Sequence, residues 1–153
     1  MKGSQAVTSY LRVARNEGLA MVKCLFIGDE ENDLKIFKHA LSDVFPGACC
    51  YTSENGLEAI EILDDYDLVP DFIFLELDRT GHEALQFLCK VRNIGAMKGV
   101  PVIVHAPVAH PEKVEMLREC GALAIYFKPY EYTGICNVLN LYIGAEYASH
   151  QLN

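Results

Sequence analysis

The feature that most constrains this chain is a strict alternation, from Val22 onward, of short apolar runs with segments of helical period. Residues 22–27, 48–52, 72–75, 101–104 and 124–127 read as strands, and Phe72-Ile73-Phe74-Leu75 is apolar at every position, as a doubly covered parallel strand is. Between them, Leu34, Phe37, Leu41 and Val44 mark one face of a helix that Pro46-Gly47 ends. Leu57, Ile60 and Leu63 line a second helix, and Leu85, Leu88 and Val91 a third. Val114, Leu117 and Cys120 line a fourth, stopped by Gly121, and Ile135, Val138, Leu139 and Tyr142 line the last.

Five strand–helix units in alternation predict an α/β fold, a doubly wound parallel sheet with helices on both faces. Right-handed crossovers leave few topologies, of which we expect the flavodoxin-like (βα)5 arrangement with strand order 2-1-3-4-5. A chain of 153 residues suits one domain, placed here at 21–147 with a tail at 148–153. Residues 1–20 stand outside the pattern. They are expected to be an N-terminal extension, disordered or a short helix with Val7, Leu11 and Ala14 on one side, or a stretch preceding a natural start at Met21. The few residues after Ile143 are too short for a further module.

A net charge of −8 excludes a nucleic-acid module, which needs a basic stripe to displace counterions, and disfavours an anionic membrane surface. No apolar run approaches the ~18 residues of a membrane span, and the start lacks the form of a signal peptide. The six cysteines, Cys24, Cys49, Cys50, Cys89, Cys120 and Cys136, form no C-x-x-C pair and are expected to act as small hydrophobes. That usage fits the reducing cytoplasm. Asp64-Asp65-Tyr66-Asp67 reads as a solvated loop.

In such sheets ligands bind at the carboxyl ends of the strands. Strand 1 ends in Asp29-Glu30, strand 3 in Glu76 with Asp78 beyond, strand 4 in His105, and strand 5 in Lys128-Pro129. Carboxylates converging at one edge repel unless a cation intervenes, so Asp29, Glu30, Glu76 and Asp78 form a candidate site for a weakly held Mg2+, with Lys128 as internal counter-charge. Acidic residues after a strand also favour a helix start, and Asp29 to Asp33 fit that simpler role too.

At these residues the sequence resembles the receiver domains of bacterial two-component response regulators, over nearly all of residues 22–143. Asp29-Glu30 is similar to their metal-binding pair and Lys128-Pro129 to their lysine-proline. Pro70-Asp71-Phe72-Ile73-Phe74-Leu75-Glu76-Leu77 resembles the strand that delivers the phosphoacceptor aspartate. Ser53-Glu54-Asn55-Gly56-Leu57-Glu58-Ala59 and Gly121-Ala122 also match stretches typical of the family.

The resemblance breaks at its chemical centre. Glu76 stands where the family has the nucleophilic aspartate, His105 in place of the switch hydroxyl, and Ile125 where an aromatic switch residue is usual. Tyr126 comes one position later and should face the other way. The extra methylene of Glu76 moves its oxygen by about 1 Å, and displacements of that size cost ~10²-fold in rate. Phosphorylation at Glu76 is therefore not expected. Two consequences compete: Glu76 reaches Lys128 and partly imitates a phosphoryl charge of ~−1.5 to −2, or the pocket is inert and binding is constitutive. His105 is expected to be a hydrogen-bonded, partly buried residue; a pH-sensitive plug and a ligand for a transition ion are its other readings.

Receivers dock partners through the helix 4, strand 5 and helix 5 face, which here would present Met116, Tyr126, Tyr130 and Tyr132, with Pro107 and His110 nearby. The implied function is that of a stand-alone, non-enzymatic signalling module whose partner is a histidine kinase, another regulator or a second copy. The alternatives are a phosphorylatable receiver using Glu76 or Asp78, and a metal-dependent phosphatase or hydrolase using the acidic cluster and His105. Against the hydrolase stands the lack of a Gly-rich phosphate loop or nucleophile–base pair; against flavin binding, the acidic loop after strand 1.

Overall fold

The computed structural model describes residues 22–65, 67–78, 80–106, 111–127 and 129–145. The expectations for residues 1–20, Met21, Pro107, His110, Lys128 and the tail at 148–153 lie outside them. Strands β1 (Lys23–Ile27), β2 (Cys49–Ser53), β3 (Phe72–Glu76), β4 (Val102–His105) and β5 (Ala124–Tyr126) form one sheet in the order 2-1-3-4-5. Every pairing is parallel, as the alternation required. The connecting helices are α1 (Glu31–Val44), α2 (Gly56–Asp65), α3 (His82–Arg92), α4 (Pro111–Glu119) and α5 (Tyr132–Leu139).

Side chains alternate across each strand, so the sheet divides the core in two. Leu25, Ile27, Ile73, Leu75, Val102 and Val104 face α2, α3 and α4. Cys24, Phe26, Phe72, Phe74 and Ile103 face α1 and α5, where Phe37, Leu41, Ile135 and Leu139 close over them. The α1 face carries a run of tilted ring contacts, with Phe37 centred 5.1 Å from Phe26 and 4.8 Å from Phe74.

One helix departs from its expected face. Leu57 is 65% exposed, and α2 instead buries Gly56, Ala59 and Leu63. A Cβ on Gly56 would come within 2.8 Å of the Phe87 Cβ, so the backbone of α2 itself packs on α3 there. That close approach rotates Leu57 outward.

At the end of the sheet opposite the strand carboxyl termini, one side chain gathers the approaches to β4 and β5. The Arg92 guanidinium donates to the carbonyls of Met97 (3.3 Å), Lys98 (3.2 Å), Val100 (2.9 Å) and Gly121 (2.6 Å). Gly121 has φ +107°, and a Cβ there would strike Arg92 Nε, so the turn after α4 is built around this fork. Removing it strands several partly buried carbonyls at once. Arg92→Ala is expected to cost about 2–3 kcal/mol in urea unfolding. Arg92→Lys should recover little of that, because a single ammonium cannot span the fork.

Candidate functional site

The parallel register builds the site. Glu76 pairs with His105, and His105 with Tyr126, so the three lie in one row across β3, β4 and β5. Alternation places the row on the α1/α5 face, at the carboxyl edge of the sheet. Both Glu76 and His105 belong to the strands themselves: the Leu77 N–H donates to the His105 carbonyl at 2.9 Å, and the Ala106 N–H to that of Tyr126 at 2.8 Å. The side chains are therefore fixed by sheet geometry and not by a loop.

On the other side of Glu76, Ile27 pairs with Leu75, so Gly28 follows directly beside Glu76. The Glu76 side chain lies against that glycine. A Cβ on Gly28 would sit 2.7 Å from the Glu76 Cδ and 2.8 Å from its Cγ, closer than real Cβ contacts permit. The longer side chain fits because β1 offers bare backbone at that point.

Folded this way, the carboxyl is in poor surroundings for charge. Its Oε1 is sealed from solvent with no hydrogen-bond partner among the described residues. Burial, a hydrogen-bonding contact with Asp33 and the nearby carboxylates of Asp29 and Glu30 push Glu76 from an ordinary carboxyl value up to about 9. Those surroundings favour the protonated carboxyl.

His105 is clasped by rings. Tyr130 meets it edge-on at 4.7 Å between centroids, and Tyr126 lies at 5.5 Å. Tyr130 also packs edge-on to Phe26 at 6.2 Å, and burial, followed by the charges of Glu76 and Asp33, drives its phenol well above the usual range. The Tyr126 hydroxyl donates to the Pro129 carbonyl at 3.3 Å and occupies the space that a Cβ on Gly134 would take. Below the row, Glu76, His105, Tyr126 and Tyr130 cap a cavity of about 20 Å3 floored by Phe26, Phe74 and Ile103.

The other expected site residues are placed as follows. Asp29 and Glu30 are exposed at the mouth, and Glu30 holds the N-cap position of α1 without a side-chain capping bond. Asp78 is turned away into the start of α3. It accepts from the Thr80 hydroxyl (2.7 Å), the Gly81 N–H (3.1 Å) and the Ala84 N–H (3.3 Å). Partial burial would raise its carboxyl, but those hydrogen bonds outweigh it and hold the group below the usual value. Ile125 packs on the α2–α4 side, opposite to Tyr126, as parity required. Of the four expected partner residues, Met116 (48%) and Tyr132 (41%) are exposed, while Tyr126 and Tyr130 are half-buried against the α1/α5 core.

Two residues of the site carried no function in the sequence reading. Asp33 was readable only as part of a helix start, although it lies one turn beyond Asp29 in the first turn of α1. Gly28 was readable only as a strand end. Asp33, Glu76 and His105 can bring ligand atoms within 4.8 Å of one another, the one such group among the described residues.

No protein-family model matches the chain. The sensor histidine kinase CheAY of Helicobacter pylori is 29% identical over 108 residues, 69% of this chain and 13% of the kinase. Sporulation initiation phosphotransferase F of Bacillus subtilis is 23% identical over 121 residues, 78% of this chain and 92% of that protein. Among solved structures, the phosphorylated cyanobacterial phytochrome response regulator RcpA superposes with a TM-score of 0.75 at 16% identity, covering 82% of this chain and 96% of its own. The Mn2+-bound form of response regulator Rcp1 does so with 0.70 at 16% identity, covering 79% and 94%. The chain has the fold of a response-regulator receiver domain. A Mg2+ site wants an all-oxygen set, whereas the group that converges here is two carboxylates and an imidazole.

Two measurements test this receiver site. Gly28→Ala should displace Glu76 and destabilise the protein by about 1–3 kcal/mol, and Glu76→Ala in the same chain should cancel most of that cost in a double-mutant cycle. A carboxyl with a raised folded pKa binds its proton more tightly folded than unfolded. Stability must therefore fall as pH climbs from the ordinary carboxyl range towards about 9. Melting temperatures between pH 5 and pH 9 should show a decline that Glu76→Gln flattens.

Proposed function

We propose that this chain is a receiver-type signalling module of a two-component phosphorelay that works by protein–protein association, without a phosphoryl group on Glu76 and without turnover of a substrate. The observation that carries this reading is the packing of the Glu76 carboxyl onto Gly28. A phosphoacceptor must present an oxygen lone pair outward to an incoming phosphorus with near-attack geometry. Glu76 instead lies along the end of β1, with one oxygen sealed in the interior. Its neutral form adds to the obstacle, since a protonated acid is a poor nucleophile.

The rival sites are weaker. Asp78 would have to give up three bonds at the start of α3 to act as acceptor. Hydrolysis at the acidic cluster would need a nucleophile poised beside a base, and Glu76, with one oxygen sealed against β1, is poorly placed for either role. A protein partner suits the acidic, partly apolar surface, with Met116, Leu123 and Tyr132 exposed around α4, β5 and α5. A histidine kinase, another regulator and a second copy are the partner classes this reading admits. No described helix is long and apolar enough to cross a membrane, and we place the module in the cytoplasm.

Incubation with Mg2+ and a small phosphodonor, followed by intact mass measurement, should give no adduct. Glu76→Asp should gain one, because the shorter side chain clears Gly28 and faces outward. An adduct on the unaltered chain that Glu76→Gln abolishes would overturn the reading.

If a divalent ion is bound, Asp33, Glu76 and His105 would hold it, and the imidazole suits a transition ion ahead of Mg2+. Mn2+ or Zn2+ should then perturb the His105 ring in NMR spectra at lower concentration than Mg2+. No response to any of them would leave His105 its packing role between the tyrosines.

A further inference from the structure

Cysteine usage departs from the sequence expectation at one place. Cys24 and Cys49 are buried, and Cys50, Cys120 and Cys136 are partly covered, but Cys89 on α3 is exposed. Its sulfur lies 3.8 Å from that of Cys120, which is 31 positions away in the turn after α4. Two sulfurs at that separation are in van der Waals contact, and a bond of ~2.05 Å requires each to move by only about 1 Å. Side-chain rotation supplies motion of that size. The backbone around the pair is already fixed by the Arg92 fork, which joins the last turn of α3 to the Gly121 carbonyl.

We propose that Cys89 and Cys120 form a peroxide-sensitive thiol pair whose disulfide tethers α3 to the end of α4. The co-reactant is a hydroperoxide. The exposed Cys89 sulfur gives up its proton and attacks one oxygen of hydrogen peroxide, the O–O bond breaks, and the leaving hydroxide takes that proton to depart as water, giving a sulfenic acid. The Cys120 sulfur then attacks Cys89, the S–O bond breaks, and water leaves with the proton from Cys120. Two thiols and one hydrogen peroxide thus yield one disulfide and two waters: sulfur is oxidised and the peroxide oxygens are reduced. The other cysteines are poorly placed to compete. Cys24 faces Cys50 across β1 and β2, but it is buried in the sheet, and burial raises its thiol further from the reactive thiolate.

The tether would act on the most lightly anchored helix. Along α4 only Leu117 is buried, the fewest of the five helices, so little apolar burial anchors it between the site edge and the Arg92 turn. Local opening is easiest where buried apolar contacts are few. A bond from Cys120 to Cys89 would fasten that helix at its carboxyl end, beside the exposed Met116. This inference rests on the fold alone and does not depend on the chemistry at Glu76.

The test is brief treatment of the full reduced chain with hydrogen peroxide, followed by intact mass, peptide mapping and amide hydrogen exchange. The expected product is a monomer lighter by two hydrogen atoms, containing a Cys89–Cys120 cross-linked peptide that dithiothreitol cleaves. Exchange across α4 should slow several-fold in that product, and should not slow in peroxide-treated Cys89→Ser or Cys120→Ser. The proposal is overturned by a disulfide-linked dimer through Cys89, by sulfinic or sulfonic acid without a cross-link, or by cross-linking at another pair. Unchanged exchange across α4 in the cross-linked monomer would equally overturn the tether.

Discussion

The site depends on the pairing of β1 with β3. Once Ile27 sits beside Leu75, Gly28 must sit beside Glu76, and the only question is what the glutamate does with its extra length. In a site with a side chain at position 28, a glutamate here would be driven outward. The glycine leaves a trough of bare backbone, and the carboxyl lies in it. Everything else at the edge follows from that choice. An oxygen is sealed, the charge becomes costly, Asp33 accepts the contact, and the protonated carboxyl is favoured. Gly28 and Glu76 are best understood as one structural unit distributed over two strands.

The same row explains how the fold accommodates an imidazole at the end of β4. An imidazole is flat and broad, and it needs flanking surfaces that a small hydroxyl would not. Tyr130 and Tyr126 provide them, and Phe26 and Phe37 extend the ring contacts towards α1. Gly134 at the start of α5 then makes room for the Tyr126 hydroxyl. Two glycines thus make room for two side chains of one row, Glu76 and Tyr126. A small side chain at position 105 would leave the tyrosines without a partner and enlarge the cavity beneath them.

Much of this was legible in the sequence because the fold is written in periodicities. The alternation of apolar runs and helical stripes determined five strands, their parallel sense and the presence of Glu76 and His105 at one edge. What stayed hidden depends on contacts between elements. The outward turn of Leu57 follows from how closely α2 approaches Phe87, which no stripe on α2 encodes. Asp78 shares parity with Glu76 and resembled a ligand, but the strand has ended there and its carboxylate serves the first turn of α3. Tyr126 and Tyr130 read as interface anchors by residue type, whereas the space beside His105 takes both. Cys89 and Cys120 are 31 residues apart, and only the packing of α3 against the α4–β5 turn brings them together.

A receiver that imitated its phosphorylated state would need a lasting negative charge at the phosphoacceptor position and a polar switch to read it. On the reading proposed here, Glu76 supplies neither. Its carboxyl is disfavoured as a charge and folded towards β1, and the group beside it is an imidazole wedged between tyrosines. An Asp at position 76 would be shorter, clear of Gly28 and closer to solvent, so it would regain charge before it regained any switch. Restoring the acceptor is therefore expected to restore chemistry without signalling. If the module has a variable state, it must come from another part of the fold. The candidate is α4, in which Leu117 is the one buried residue, bordered at its carboxyl end by a pair of thiols in contact.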